Sequence, residues 1–231
     1  MTAAPTLLFD LDGTLTDNYA GIAASIGHAL ARLGARMPDE QTLRGCVGPP
    51  LRESFARLLA TTDAARIELA IAHYRERYSS VGWCENVVYG GIEHALAALG
   101  ARGGRMFVCT AKPTAFARRI VVHFGLETHF EGVYGADLDG RHDDKSLLLA
   151  HLLAQERITP RDAVMIGDRA GDVKAARANG VAAVGVLWGY GSRSELATAD
   201  RVVESPGDLV AELDGLAGLR TRGGSAFQIS A

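Results

Sequence analysis

Lysine is scarce in this chain. Of its 24 basic residues all are arginine except Lys112, Lys145 and Lys174. Either residue type supplies surface charge, so a lysine kept in an arginine-rich chain is a candidate for a place that needs a compact point charge. Cysteine is sparse too. Cys46, Cys84 and Cys109 are odd in number and form no CxxC pair, which argues against a disulfide framework and against a zinc site. No apolar run approaches the roughly 18–20 residues of a membrane span, and the longest, Val181–Leu187, is strand-sized. The net charge of −3 disfavours a nucleic-acid polymer as partner, because phosphate binding calls for a strongly basic surface. The N-terminus reaches Asp10 without a charged n-region and an apolar h-region, so no secretory signal is expected. The expectation is a cytoplasmic protein with no membrane partner.

With 48% hydrophobic and 22% charged residues, the composition is that of a globular protein. Short apolar runs alternate with helical patterns. Thr6–Phe9, Arg105–Thr110, Ala163–Ile166 and Val181–Val186 read as buried strands, with Gly132–Tyr134 and Arg201–Val203 as weaker ones. Helices are expected over Ile92–Leu99, Leu147–Ala154, Asp172–Asn179 and Thr114–Phe124, the last beginning after Pro113, a residue that suits a helix start. Such alternation predicts a three-layer α/β core, a Rossmann-like parallel sheet covered on both faces. From Asn18 to Trp83 nothing reads as a strand. Ile22, Ile26, Leu30 and Leu33, then Leu51, Phe55 and Leu58, then Ile67, Ile71, Tyr74 and Tyr78 recur at helical spacing. The predicted organisation is a core over 1–17 and 84–218, an all-helical cap over 18–83 inserted after the first strand, and a Gly/Ser/Arg-rich flexible tail over 219–231.

In a parallel α/β sheet, ligands bind beyond the carboxyl ends of the strands. Those ends carry Asp10-Leu11-Asp12-Gly13-Thr14, Thr110-Ala111-Lys112 and Gly167-Asp168-Arg169-Ala170-Gly171-Asp172. Four carboxylates arriving at neighbouring strand ends are electrostatically costly unless a cation neutralises them, and an oxygen-only donor set suits Mg²⁺. Thr110 and the amides of Ala111 and Lys112 stand where a helix is expected to begin, a natural anion site. Lys145 opens a helix, where the helix dipole disfavours a cation, so it needs another reason to be there.

Together these segments resemble the haloacid dehalogenase superfamily. Asp10-Leu11-Asp12-Gly13-Thr14 is similar to its nucleophile motif, and Thr110, Lys145 and Gly167-Asp168 with Asp172 match its second, third and fourth motifs in order. Three further runs resemble the phosphoglycolate phosphatase-like group, whose members also include 5′-nucleotidases. They are Thr110-Ala111-Lys112-Pro113, Val47-Gly48-Pro49-Pro50-Leu51 and the stretch from Gly185 to Ser192 with Trp188-Gly189-Tyr190-Gly191 at its centre. The resemblance covers residues 5–212 and implies a Mg²⁺-dependent phosphatase with the cap between motifs one and two. It implies Asp10 as nucleophile, forming an aspartyl-phosphate, and Asp12 as general acid and then base, its backbone carbonyl on the metal. Asp168 would be a second metal carboxylate, Asp172 would orient the metal's waters, and Thr110 and Lys145 would hold the phosphoryl oxygens.

Arg52 and Arg44, beside the Gly48-Pro49-Pro50 turn, either grip a substrate anion or lie on the cap surface. Lys112 either touches phosphate or frames the helix start, Tyr19 either lines the site or packs in the core, and Lys174 reads as solvated. The Trp188–Tyr190 loop is either structural, dimer-forming or substrate-binding. The expected partner is a small phosphorylated metabolite, with phosphoglycolate first and nucleoside 5′-monophosphates second, in a chain that forms a monomer or a homodimer. A dehalogenase has no use for Asp12 or a cation cluster. A phosphonatase would need a cap lysine, and residues 15–88 contain none. A sugar phosphomutase shares the motifs, and a phosphate-binding scaffold without activity is the reading from a different class.

Overall fold

The computed structural model describes residues 4–137 and 142–215, so the tail expected over 219–231 lies outside the described residues. Eight strands are present among them: β1 (Thr6–Phe9), β2 (Thr16–Asp17), β3 (Val87–Val88), β4 (Met106–Pro113), β5 (Gly132–Ala136), β6 (Ala163–Gly167), β7 (Ala182–Val186) and β8 (Arg201–Val203). Six form one parallel sheet in the order β5-β4-β1-β6-β7-β8. The chain therefore runs outward from β1 through β4 and β5, then crosses to the other side of β1 through β6. That reversal opens a crevice at the carboxyl ends of β1, β4 and β6.

The helices are α1 (Tyr19–Arg32), α2 (Glu40–Arg44), α3 (Leu51–Leu58), α4 (Ala64–Ser80), α5 (Ile92–Gly100), α6 (Thr114–His123), α7 (Lys145–Gln155) and α8 (Ala170–Ala178). Alternation along β1 divides the core into two layers. Leu7 and Phe9 meet Ile92, Leu96 and Ile120 of α5 and α6 on one face. Leu8 faces the other way, with Leu148, Leu152 and Val173 of α7 and α8. Both faces are covered, which is why β1 reads as an unbroken apolar run and is buried throughout. No helix among the described residues is long and apolar enough to cross a membrane.

Helices α1–α4 have a hydrophobic cluster of their own, built on Ile26, Leu30, Phe55, Ile71 and Tyr74. Two features in and beside this insert were not expected from the sequence. One is α2, five residues long and started by Asp39, whose carboxylate accepts from Thr42 N at 2.8 Å. The other is the antiparallel ribbon of β2 and β3, with Thr16 opposite Val88 and Asp17 opposite Val87. The ribbon carries both chain crossings between sheet and insert, and Asn86 Nδ2 donates to Thr16 Oγ1 within it at 3.2 Å.

One expectation is corrected. The strand expected to end at Thr110 runs on to Pro113, which caps α6 in an extended conformation (φ −54°, ψ 132°), while α6 starts at Thr114 as expected. The ring that suits a helix start suits the preceding extended position equally well.

Candidate active site

Asp10 continues β1, its N–H donating to Ile166 O on β6 at 2.9 Å. The chain then turns sharply. Gly13 has φ +83°, and a Cβ there would stand 2.3 Å from Asp168 Oδ2, so the left-handed turn and the carboxylate behind it both demand glycine. Buried Leu11 and Leu15 anchor the loop from below. Asp168 follows β6 and is fully buried; Asp172 sits in the first turn of α8, where its Oδ2 accepts from Arg169 N at 3.0 Å. One carboxylate oxygen each from Asp10, Asp168 and Asp172 lies within 4.8 Å of the other two. Asp168 Oδ2 accepts from Tyr190 N at 2.8 Å, while its buried Oδ1 has no hydrogen-bond partner.

Burial, then Asp172 and Asp10, drive the Asp168 carboxyl well above the usual carboxylate range. Asp172 is pushed up to about 6 by burial, against the pull of Lys145 and with Asp10 adding to the rise. An unpartnered buried oxygen beside two more carboxylates is a donor set for a hard divalent cation, and these residues fit one.

Two of the three lysines enter the site. Lys145 is the first residue of α7. Its Nζ lies 2.9 Å from Asp10 Oδ1 and also contacts Asp172 Oδ1. Burial acts to lower its pKa, but Asp10 and Asp172 raise it by more, so the ammonium stays charged. The unfavourable dipole position is relieved by Asp144, which caps α7 through Ser146 N at 2.6 Å.

Lys112 arrives by a bulge. The β4–β5 register steps from Thr110 opposite Gly135 to Pro113 opposite Ala136, taking residues 111 and 112 out of the ladder. Lys112 Nζ lies 2.6 Å from Asp12 Oδ2 and 5.0 Å from the Tyr78 ring of α4. The Asp12 carboxyl is raised by burial and by Asp10, with Lys112 opposing. The pairing of Lys112 with Asp12 had no signal in the sequence, since neither spacing nor pattern links residues a hundred positions apart. It also corrects the anion-site argument. The amides of Ala111 and Lys112 belong to a bulged strand end, not to a helical turn, because α6 starts only at Thr114. Thr110 is buried at the same edge, its Oγ1 accepting from Lys112 N at 3.3 Å.

A cavity of about 940 Å³ separates this cluster from the insert. Asp10, Asp12, Thr110, Ala111, Lys112, Lys145 and Asp172 line its floor. Leu51, Arg52, Ile71 and Tyr74 line its roof, where the exposed Arg52 guanidinium is paired with Glu68. Lys174 is exposed at the rim. Arg44 and Tyr19 do not line the cavity; the guanidinium carbon sits 4.5 Å from the Tyr19 ring and pairs with Glu40. Both aromatic residues of the Trp188–Tyr190 loop bond back toward the turn after β1 and the linker that follows it. Trp188 Nε1 donates to Thr14 O at 2.9 Å, and Tyr190 OH donates to Asp17 Oδ1 at 2.6 Å.

Comparison with known proteins agrees with this geometry. A 5′-nucleotidase of Pseudomonas aeruginosa is 46% identical over 192 residues, spanning 83% of this chain and 86% of that one. A tyrosine-protein kinase PtkA of Mycobacterium tuberculosis is also 46% identical over 185 residues, 80% of this chain, though the match spans only 62% of the kinase's length. The crystal structure of a predicted phosphatase from Clostridium acetobutylicum superposes with a TM-score of 0.87 at 36% identity, covering 93% of this chain and all of that one. The sequence profile of the haloacid dehalogenase-like hydrolases matches residues 7–186, from the second residue of β1 to the end of β7. This chain belongs to that family.

Proposed function

We propose that the chain is a Mg²⁺-dependent phosphomonoesterase that works through an aspartyl-phosphate on Asp10 and takes a nucleoside 5′-monophosphate. The observation that carries the chemistry is the meeting of Asp10, Asp168 and Asp172, with Asp168 Oδ1 buried and unpartnered and Lys145 on Asp10. Asp10, Asp168 and Asp172, with the main-chain carbonyl of Asp12, would hold the ion, which when bound supplies neutralisation of the carboxylates and of the phosphoryl charge.

The remaining work falls to the chain itself. Asp10 attacks phosphorus without needing to lose a proton, which splits the hydrolysis into two easier steps. Lys145 orients Asp10 and screens its charge from the approaching dianion. Asp12 protonates the departing oxygen and later takes a proton from the attacking water, a role served by a carboxyl pKa raised by burial. Lys112 holds the Asp12 carboxyl in place. The helical insert acts as a cap over the cavity, excluding water and contacting the leaving group.

The roof decides the leaving group. Glycolate carries its own carboxylate and calls for a net positive charge opposite. Here Arg52 and Arg75 are balanced in number by Glu53 and Glu68, with Arg52 paired to Glu68, and Leu51, Ile71 and Tyr74 complete the lining. A near-neutral, partly apolar roof over a cavity of this size suits a neutral nucleoside better than a small anion. On a panel of phosphometabolites, nucleoside 5′-monophosphates should exceed phosphoglycolate in kcat/KM by about tenfold or more. The reverse ranking overturns the substrate assignment while leaving the chemistry standing.

Two further outcomes follow. EDTA should silence the enzyme and Mg²⁺ restore it, whereas Ca²⁺ should bind and inhibit because its looser shell misplaces the nucleophile. Full turnover in metal-free buffer would refute the cation assignment. Arg52→Ala should shift KM or the ranking of substrates by about threefold or more, with the Mg²⁺ concentration for half-activity unchanged. An unaltered substrate profile places Arg52 on the surface with no role.

A further inference from the structure

The chemistry above leaves Trp188-Gly189-Tyr190-Gly191, the loop after β7, without a task. In space it joins three parts of the site. Gly189 and Gly191 lie against Asp168: a Cβ at 189 would stand 2.5 Å from Asp168 Oδ2 and 2.2 Å from Gly13 O, and one at 191 would stand 1.8 Å from Asp168 O. Between them, Tyr190 N donates to Asp168 Oδ2 at 2.8 Å. The Tyr190 side chain runs the other way, to the linker where the chain leaves the sheet for the insert. Its OH donates to Asp17 Oδ1 at 2.6 Å and accepts from Asn18 N at 3.1 Å. Asp17 Oδ1 also accepts from Tyr19 N, the first residue of α1, at 3.0 Å. The Tyr190 ring packs against the hydrophobic cluster of the insert.

We propose that Tyr190 is a positioning residue that couples the Asp168 carboxylate to the hinge of the insert. The main-chain N–H occupies Asp168 Oδ2 and leaves Oδ1 for the cation, while the phenol holds the end of β2 and the N-terminus of α1. A rotation of α1 about the β2–β3 ribbon moves both partners of the phenol, and only the length of one rigid side chain separates them from Asp168. Cation binding and closure of the insert then favour one another, and the coupling is reciprocal. This inference rests on the Mg²⁺ assignment above and predicts an effect that the assignment alone does not.

Amide hydrogen exchange on the full chain, with and without Mg²⁺, reads the coupling without turnover. In the wild type, Mg²⁺ should slow exchange in residues 10–14 and also in residues 17–22, by about fivefold or more in each, the size of one hydrogen bond. Tyr190→Phe keeps the ring and the amide but removes the hydroxyl. It should retain the slowing at 10–14 and reduce that at 17–22 below about twofold. Asp17→Ala should give the same loss from the other end, while Asp17→Asn, which keeps an acceptor oxygen, should preserve the coupling. A Tyr190 that only stiffens the fold would alter exchange at 17–22 equally with and without Mg²⁺. That result, or equal Mg²⁺ protection of 17–22 in wild type and Tyr190→Phe, overturns the coupling. If Mg²⁺ does not slow residues 10–14 in the wild type, the cation assignment falls and the coupling falls with it.

Discussion

Asp10→Asn should abolish turnover and leave the fold intact. The substitution keeps size and an oxygen in the same place but removes the charge that attacks phosphorus. Losses of about 10²–10⁴-fold are typical of auxiliary acid–base groups, so a nucleophile must lose at least that much. Retention of more than about a hundredth of wild-type activity would mean that water attacks directly and that the aspartyl-phosphate does not form. Folding should survive because Leu11, Leu15 and the main-chain bond from Asp10 to Ile166 hold the loop independently of the carboxylate. Circular dichroism and a thermal melt check this. Asp12→Ala should also stop product release, but by a different route. Asp10 is still able to attack, so rapid quenching should trap phosphate on the protein in Asp12→Ala and none in Asp10→Asn.

Lys145→Arg should lower activity by about 10²-fold or more, the size expected for a preorganised charge-stabilising group. On a solvated surface this exchange would be silent, the more so in a chain that uses arginine almost everywhere. At this position the ammonium touches Asp10 and Asp172 at once and is nearly buried, with its side chain 11% exposed. A planar guanidinium is wider and forks, so both carboxylates would have to move to receive it. Lys174→Arg, made in parallel, should stay near wild type because Lys174 is exposed on α8. Equal effects of the two exchanges refute the assignment of Lys145, provided melts show both variants folded.

Both expectations come from residues whose meeting was legible in the sequence. Asp10, Thr110 and Asp168 each follow an apolar run, and parallel strands bring such ends to one edge. The bounds of β1 and β8 were read correctly because each is a short apolar run closed by polar residues. Contacts without a pattern were not legible. The β2–β3 ribbon has two residues per strand, too few for alternation to show, and α2 is too short for helical periodicity. The end of β4 was placed three residues early because Pro113 looks like a helix start, and the bulge that turns Lys112 onto Asp12 was lost with it. The task of Tyr190 could not be read either, since 173 positions separate it from Asp17.

The two-strand ribbon has a consequence for how the chain assembles. β1 must find β4 across the whole of the insert, and a long gap between pairing strands costs chain entropy. That cost rises only with the logarithm of length, so interposing the insert adds about 1 kcal/mol to closing the sheet. The insert's hydrophobic cluster, by contrast, is built almost wholly from one continuous stretch, Ile22 to Tyr78, between the ribbon strands. A segment that packs mostly on itself and enters and leaves through one small ribbon lengthens the path between β1 and β4 at little cost to the sheet. The same sheet and the same carboxylates are therefore able to serve under roofs of quite different shape.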